Sequence, residues 1–255
     1  MRKRPFDLSA VCLTALSVAP FFYVFAKSML SGQGGVSLAG YYQVFLGQQQ
    51  YLLRFWKSLG LCLCIALGQT AVSVLAGFGF AKCRFWGKNT LFFLLTVLMI
   101  LPLQVTLVPN YIMLGKLGWL NTYFALAVPM MFVPLGTFIM TQSFRAVPDE
   151  VLEAARLDGC GTLRLISRIA VPMNKSGLVC TVLLSFLDGW NMVEQPLTFL
   201  EDFGQYPISV ALASTPPEDP RVQMVCCILV ALPPLLLFAY ENRELVEGIA
   251  LGGEK

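Results

Sequence analysis

The stretch Pro148–Pro172, PDEVLEAARLDGCGTLRLISRIAVP, is the one long polar interval between hydrophobic blocks that itself reads as structured. Pro148 suits a first helical position, where its missing N–H would be unpaired anyway. Asp149 and Glu150 follow in the first turn, where the helix dipole favours negative charge. Val151, Leu152 and Ala155 supply a narrow apolar face. Gly159 fits the left-handed residue that closes a helix, and Gly161 completes the hinge. A second short helix is expected from Thr162, with Leu163, Ile166 and Ile169 or Ala170 on one side. Arg164 and Arg168 sit four apart on another, and Pro172 ends the pattern. The element reads as two short helices around a glycine turn. Physical reasoning leaves two roles open: a basic face on lipid head groups, or a docking element in which Ala154 and Ala155 let a soluble partner approach closely.

Outward from this stretch the chain is apolar. Of its 255 residues, 56% are hydrophobic and 13% charged, and mean hydropathy is +0.69. Soluble domains carry about 25% charge, so the composition predicts an all-α, polytopic membrane protein. Six spans are expected, at about 8–26, 58–80, 90–113, 122–142, 177–200 and 222–240, in a single transmembrane domain over 1–255. The connecting loop 143–176 holds the opening stretch. The run after the basic tip MRKRP is longer than the usual signal-peptide core and lacks a clear cleavage site, so it reads as a span.

Charge distribution sets the expected orientation. The N-terminal tip, the Lys82–Lys88 loop, the 143–176 loop and the tail together hold 13 Lys and Arg; the other side holds Lys27, Arg54, Lys57, Lys116 and Arg221. Basic residues are retained in the cytoplasm. Both termini and the 143–176 loop are therefore expected to be cytoplasmic, with the acidic loop Glu201–Arg221 outside. The net charge of +3 is too small to argue for nucleic acid.

Polar residues inside the spans are candidates for a pathway. Gln104, Thr106 and Asn110 cluster around Pro102 and Pro109, where freed carbonyls need partners or a water-filled cavity; an ordinary kink is the alternative. Asp188, Trp190, Asn191 and Glu194 lie within the fifth span, and an ionisable residue at that depth is a functional candidate by default. The chain has eight Cys and no His. The cysteines lie in apolar runs or short polar intervals without metal spacing, so they read as packing residues, with neither a disulfide framework nor a metal site expected. No nucleophile with a base is evident, so no enzymatic chemistry is expected of this chain. A secondary transporter would usually show inverted repeats and broken helices about a midplane site; six spans with no detected repeat and two deep acids argue against one.

The run Glu153-Ala154-Ala155-Arg156-Leu157-Asp158-Gly159, with Ile169-Ala170-Val171-Pro172 after it, resembles the EAA loop of the inner-membrane permease subunits of binding-protein-dependent ABC importers. Its place between spans four and five matches the family. Ala81–Asn89 (AKCRFWGKN), Leu101-Pro102 with Gln104–Pro109, and Trp190-Asn191 with Pro196-Leu197 resemble patterns of the carbohydrate-uptake branch, in the position of the second, maltose-type subunit. The matches cover most of residues 58–255. The resemblance implies the type I importer permease fold and a bacterial inner-membrane location. It implies a heterodimer with a second, related permease, two ABC ATPase subunits that use ATP, and an external solute-binding protein. This chain itself would bind no cofactor. Glu153 would make an ion pair with the ATPase, Ala154 and Ala155 would fit tightly, Asp158 would belong to the same coupling contact, and Gly159 would make the turn. Amino-acid, peptide or polyol importers share the EAA loop, but the Trp190-Asn191 and Ala81–Asn89 patterns favour sugars. Asp188 and Glu194 depart from the sugar branch, where small, polar or apolar residues are usual. The tail GIALGGEK only approximates the family's ending.

Overall fold

A computed structural model describes residues 8–30, 35–47, 49–214 and 217–253. The basic tip Met1–Pro5 and the last two residues of the tail lie outside them. Every regular element among the described residues is helical. In chain order they are α1 (Leu8–Met29), α2 (Ala39–Tyr42), a wide turn over Gln43–Gly47, α3 (Gln49–Lys82), α4 (Lys88–Ile100) and α5 (Leu103–Leu117). Then come α6 (Tyr123–Met131), α7 (Pro134–Arg145), α8 (Asp149–Leu157), α9 (Thr162–Leu165), a second wide turn over Ile166–Ala170, and α10 (Val171–Met173). Last are α11 (Lys175–Trp190), α12 (Glu194–Phe199), a short turn over Phe203–Gln205, α13 (Ile208–Ser214) and α14 (Pro220–Gly253).

Four segments are long and apolar enough to cross a membrane: Cys12–Met29, Gln50–Lys82, Tyr123–Arg145 and Pro220–Tyr240. The number becomes six if two bent pairs each count as one span: Lys88–Ile100 with Leu103–Leu117, bent by 105°, and Thr162–Met173 with Lys175–Trp190, bent by 91°. The first bend has a local cause. Proline disfavours the helical region for the residue before it, and Leu101 is extended at φ −67°, ψ 131° ahead of Pro102. Val133, ahead of Pro134, is extended in the same way. Pro109 and Pro129 are carried inside helices without ending them.

Several boundaries differ from the sequence reading. α3 begins at Gln49 rather than near residue 58. The polar run before it contains Gln, Leu, Arg and Lys, all good helix formers, and charge alone does not end a helix. The fifth apolar block is not one helix to residue 200; α11 stops at Trp190 and α12 follows as a separate turn. Pro172 does not end the second short helix, which runs on to Met173 and turns at Asn174.

The core is α3 packed against α7 and α11. Small residues allow the close approach, as expected where lipid supplies no hydrophobic drive between helices. A Cβ on Gly77 would lie 2.7 Å from the Cβ of Met140, and one on Gly136 would collide with the Ser73 hydroxyl. The two ends of α3 carry different segments. At its start the Ser58 hydroxyl accepts a hydrogen bond from the Ile208 amide at 2.8 Å. At its finish Lys82 reaches Val147 and Asp149. The segments separated by the count of basic residues, 201–221 on one side and 143–176 on the other, thus sit at opposite ends of the same helix.

The eight cysteines are all free thiols, with Cys62, Cys180 and Cys226 buried. No cluster with metal-ligand character occurs among the described residues.

Candidate functional site

Two regions hold the residues singled out by sequence. The first is the 143–176 loop. α8 starts with Asp149 and Glu150 in its first turn, as the dipole favours. It closes at Gly159, whose φ of +79° is left-handed, with the Cys160 amide bonding the Ala155 carbonyl at 3.0 Å. Leu152 is buried in a cluster with Phe78, Met140, Phe144, Val147, Leu165, Ile166 and Ala170. The second helix therefore anchors through Leu165 and Ile166. Leu163, expected on one side with Ile166 and Ala170, is 72% exposed while those two are buried. The wide turn over Ile166–Ala170 changes the angular spacing, so a regular 3.6-residue period does not carry through the segment.

An ion pair fixes the start of α8. Lys82 Nζ donates to Asp149 Oδ1 and to the Val147 carbonyl, each at 2.6 Å. The hydrogen bond from Lys82, then its charge, holds the Asp149 carboxyl below its ordinary range. A depressed carboxylate stays ionised through neutral pH, and its contribution is lost as the pH falls through that lowered value. Ala155 is half-buried and packs against the Leu152 cluster, while on the opposite face Glu153, Ala154 and Asp158 are exposed. Val151 and Leu157 are also exposed, Leu157 by 89%. The helix is gripped on one side and presents small, acidic and apolar groups on the other.

The second region lies where α11 breaks. A cavity of about 430 Å³ is lined by Asp188, Asn191, Glu194 and Gln195 together with Leu103, Met130 and Val133. A neighbouring cavity of about 420 Å³ shares Leu103, Met130, Val133 and Gln195 and adds Thr106 and Asn110. Gly189, next to Asp188, faces Ile65 and Cys62, near the middle of the Gln50–Lys82 segment. The cavities therefore sit about halfway along the longest span. Gln104 Nε2 donates to Glu194 Oε1 at 2.7 Å, tying α5 to α12. The break after Trp190 puts these groups on a short polar turn. Non-helical backbone at this depth is tolerated where it lines a cavity.

Of the six pathway candidates, Asp188, Asn191 and Glu194 line the first cavity, Asn110 lines the second, and Gln104 joins them through Glu194. Trp190 lines neither. It is buried at 3% exposure, stacks on Phe186 at 5.6 Å, and donates Nε1–H to the Val230 carbonyl at 3.0 Å. Val230 is four residues before Pro234, which has no N–H to offer. The indole fills that vacancy, so Trp190 is a brace between α11 and α14. Sequence reasoning missed Gln195, which is 6% exposed and borders both cavities. A signal existed, because Gln195 directly follows Glu194 in an apolar block, but an amide draws less notice than an acid. Lys82 was likewise read only as a basic loop residue.

Residues 70–240 match the family described as the binding-protein-dependent transport system inner membrane component. The chain belongs to this family. Among relatives, the sn-glycerol-3-phosphate transport system permease protein UgpE of Brucella melitensis is 30% identical over 202 residues, covering 76% of this chain and 71% of the relative. The same-named protein of Yersinia enterocolitica is 29% identical over 202 residues, covering 77% and 72%. Among solved structures, a chain of a bacterial ABC transporter involved in import of the acidic polysaccharide alginate superposes with a TM-score of 0.77 at 18% identity, covering 93% of this chain and 95% of that one. A chain of the MetNI methionine ABC transporter, in an inward-facing conformation, gives 0.59 at 13% identity, covering 78% and 95%. The permease is thus a multi-pass inner-membrane transport subunit with the ABC importer permease fold.

Proposed function

We propose that this permease forms half of the translocation pathway for a sugar or oligosaccharide in an ATP-driven importer. An external binding protein delivers the solute, and a second, related permease completes the pathway. Two cytoplasmic ATPase subunits dock on the α8 face, so the 143–176 loop and both termini lie in the cytoplasm. ATP is bound and hydrolysed by those subunits, and this chain binds no cofactor of its own. The observation that carries the reading is the two-sided character of α8. Leu152 and the Lys82–Asp149 contact bind it to the bundle, while Glu153 and Ala154 face outward beside the Gly159 turn.

Closure of the ATPases displaces α8, and its buried anchor passes that displacement to α3 and α7. Alternation between inward- and outward-facing states then follows as rigid-body rocking of the packed core. Glu153 supplies the charge for a basic residue of the ATPase, and Ala154 and Ala155 keep the contact close. The relatives named for sn-glycerol 3-phosphate, a derivative of a small polyol, support a solute rich in hydroxyls.

Glu153→Lys tests the docking role. The substitution lies on an exposed turn, so membrane insertion is expected to be unchanged while co-purification of the ATPase subunits falls sharply. Recovery of the ATPases in undiminished amount would sink this role for α8.

A further inference from the structure

Two membrane-crossing segments meet at the connector 83–87. The segment Gln50–Lys82 ends just before it, and the bent pair that starts at Lys88 begins just after. A connector so placed lies at the boundary of the bilayer, whichever side it faces. Its backbone is held at three points. The Phe85 ring lies 5.9 Å from Phe80, which lies 5.5 Å from Phe92. Lys88 Nζ donates to the Cys83 carbonyl at 2.9 Å and to the Ala81 carbonyl at 3.4 Å, covering the end of α3. Gly87 turns the chain at a φ of +77°. Between Phe85 and Gly87 this fixed backbone leaves Trp86 99% exposed. Tryptophan is enriched at membrane boundaries, where an apolar ring with one polar edge is at home.

We infer that Trp86 and Arg84 form a docking surface for the head group of an anionic phospholipid, which holds the start of α4 at the membrane surface. Continuity with the apolar outside of α4 selects this occupant. Trp86 and Leu91 border one surface hollow of about 680 Å³, lined by residues 84–91 and by no part of α8. From Leu91 an exposed strip runs along α4 through Leu94 and Leu98, at spacings that share a helix face. The head group rests in the hollow and the acyl chains lie along the strip. The charge is complementary. Residues 81–89 contain no acid. Lys82 is taken by Asp149 and the Val147 carbonyl, and Lys88 by the end of α3. Arg84 is exposed and, among the described residues, makes no ion pair; it acts on Asp149 only after the Lys82 hydrogen bond and charge. A guanidinium offers paired donors to a phosphate. α4 also needs such a hold. Its 13 residues rise about 20 Å, short of a hydrocarbon core of roughly 30 Å, before the chain bends by 105°. Its length alone does not fix its depth.

The test uses the whole importer, reconstituted into phosphatidylcholine vesicles, and reads tryptophan fluorescence. Subtracting the emission of Trp86→Ser isolates Trp86 from Trp56, Trp119 and Trp190. The Trp86 emission is expected to be quenched by phosphatidylcholine brominated near the top of its acyl chains, and to be protected from iodide in the water. When the bromines are carried instead by a small share of phosphatidylglycerol, quenching is expected to report roughly fivefold enrichment over the same share of brominated phosphatidylcholine, the scale of one basic side chain at an anionic surface. Arg84→Gln is expected to abolish that enrichment and Arg84→Lys to retain most of it. Quenching of Trp86 by iodide would overturn the inference, because the ring then stands in water. Quenching by neither agent, or loss of ATPase or second-permease subunits on purification of Trp86→Ser, would overturn it in favour of a protein partner on this surface. Equal quenching by the two brominated lipids, or enrichment unchanged in Arg84→Gln, would overturn the assignment of an anionic head group to Arg84.

Discussion

The 143–176 loop and the cavity at the α11 break are built on opposite principles. At the loop, strong groups are paired. Leu152, Leu165 and Ile166 are buried together, and Lys82 has both an anion and a carbonyl within 2.6 Å. At the cavity, Glu194 Oε2 and Gln195 Oε1 are left over. An element that transmits force has to be held in one arrangement, because packed cores shift between discrete states rather than deforming smoothly. On the function proposed above, the contrast separates the part through which the permease is driven from the part its solute passes.

The largest effect is expected at the loop anchor. Leu152→Ala removes a fully packed side chain, at a cost of about 2–5 kcal/mol. The loss falls on the attachment of α8, so transport should drop well below what thermal stability of the bundle indicates. Limited proteolysis of the 143–176 loop, compared with transport in the same membranes, checks this. If transport and loop protection stay at wild-type levels, α8 is held by something other than its buried face.

A smaller effect is expected at the brace beside the cavity. Trp190→Phe keeps the ring but withdraws the N–H from the Val230 carbonyl, leaving a buried acceptor unpaired at about 1–3 kcal/mol. Solubilised thermal unfolding should show the loss, while solute preference stays as it was. A changed preference would return Trp190 to the pathway and blur the line between brace and cavity.

The apolar blocks and the EAA-like run made the helical membrane fold and the α8 turn legible in the sequence. Gly159 was readable because a positive φ is demanded by helix closure itself. Glu194 and Asp188 stood out because charge inside a span is costly. Other features depend on contacts distant in sequence. The Lys82–Asp149 bridge joins residues that no local pattern links. The role of Trp190 depends on Pro234 in another helix. Leu165 replaces Leu163 as an anchor because the backbone widens over Ile166–Ala170, and a regular helical wheel has no means of showing that. The early start of α3 was hidden because polar residues were read as loop when they also form good helix.

The most direct test of the account is a cross-link at α8. In a background with the eight native cysteines changed to serine, Ala154→Cys places one thiol on the exposed face of the helix. In the assembled importer, a short bifunctional reagent should join Ala154→Cys to a cysteine introduced on the ATPase subunit, with a yield that changes when ATP is added. An assembled, transport-active importer that gives no cross-link from this position would contradict the claim that α8 is where the permease is driven.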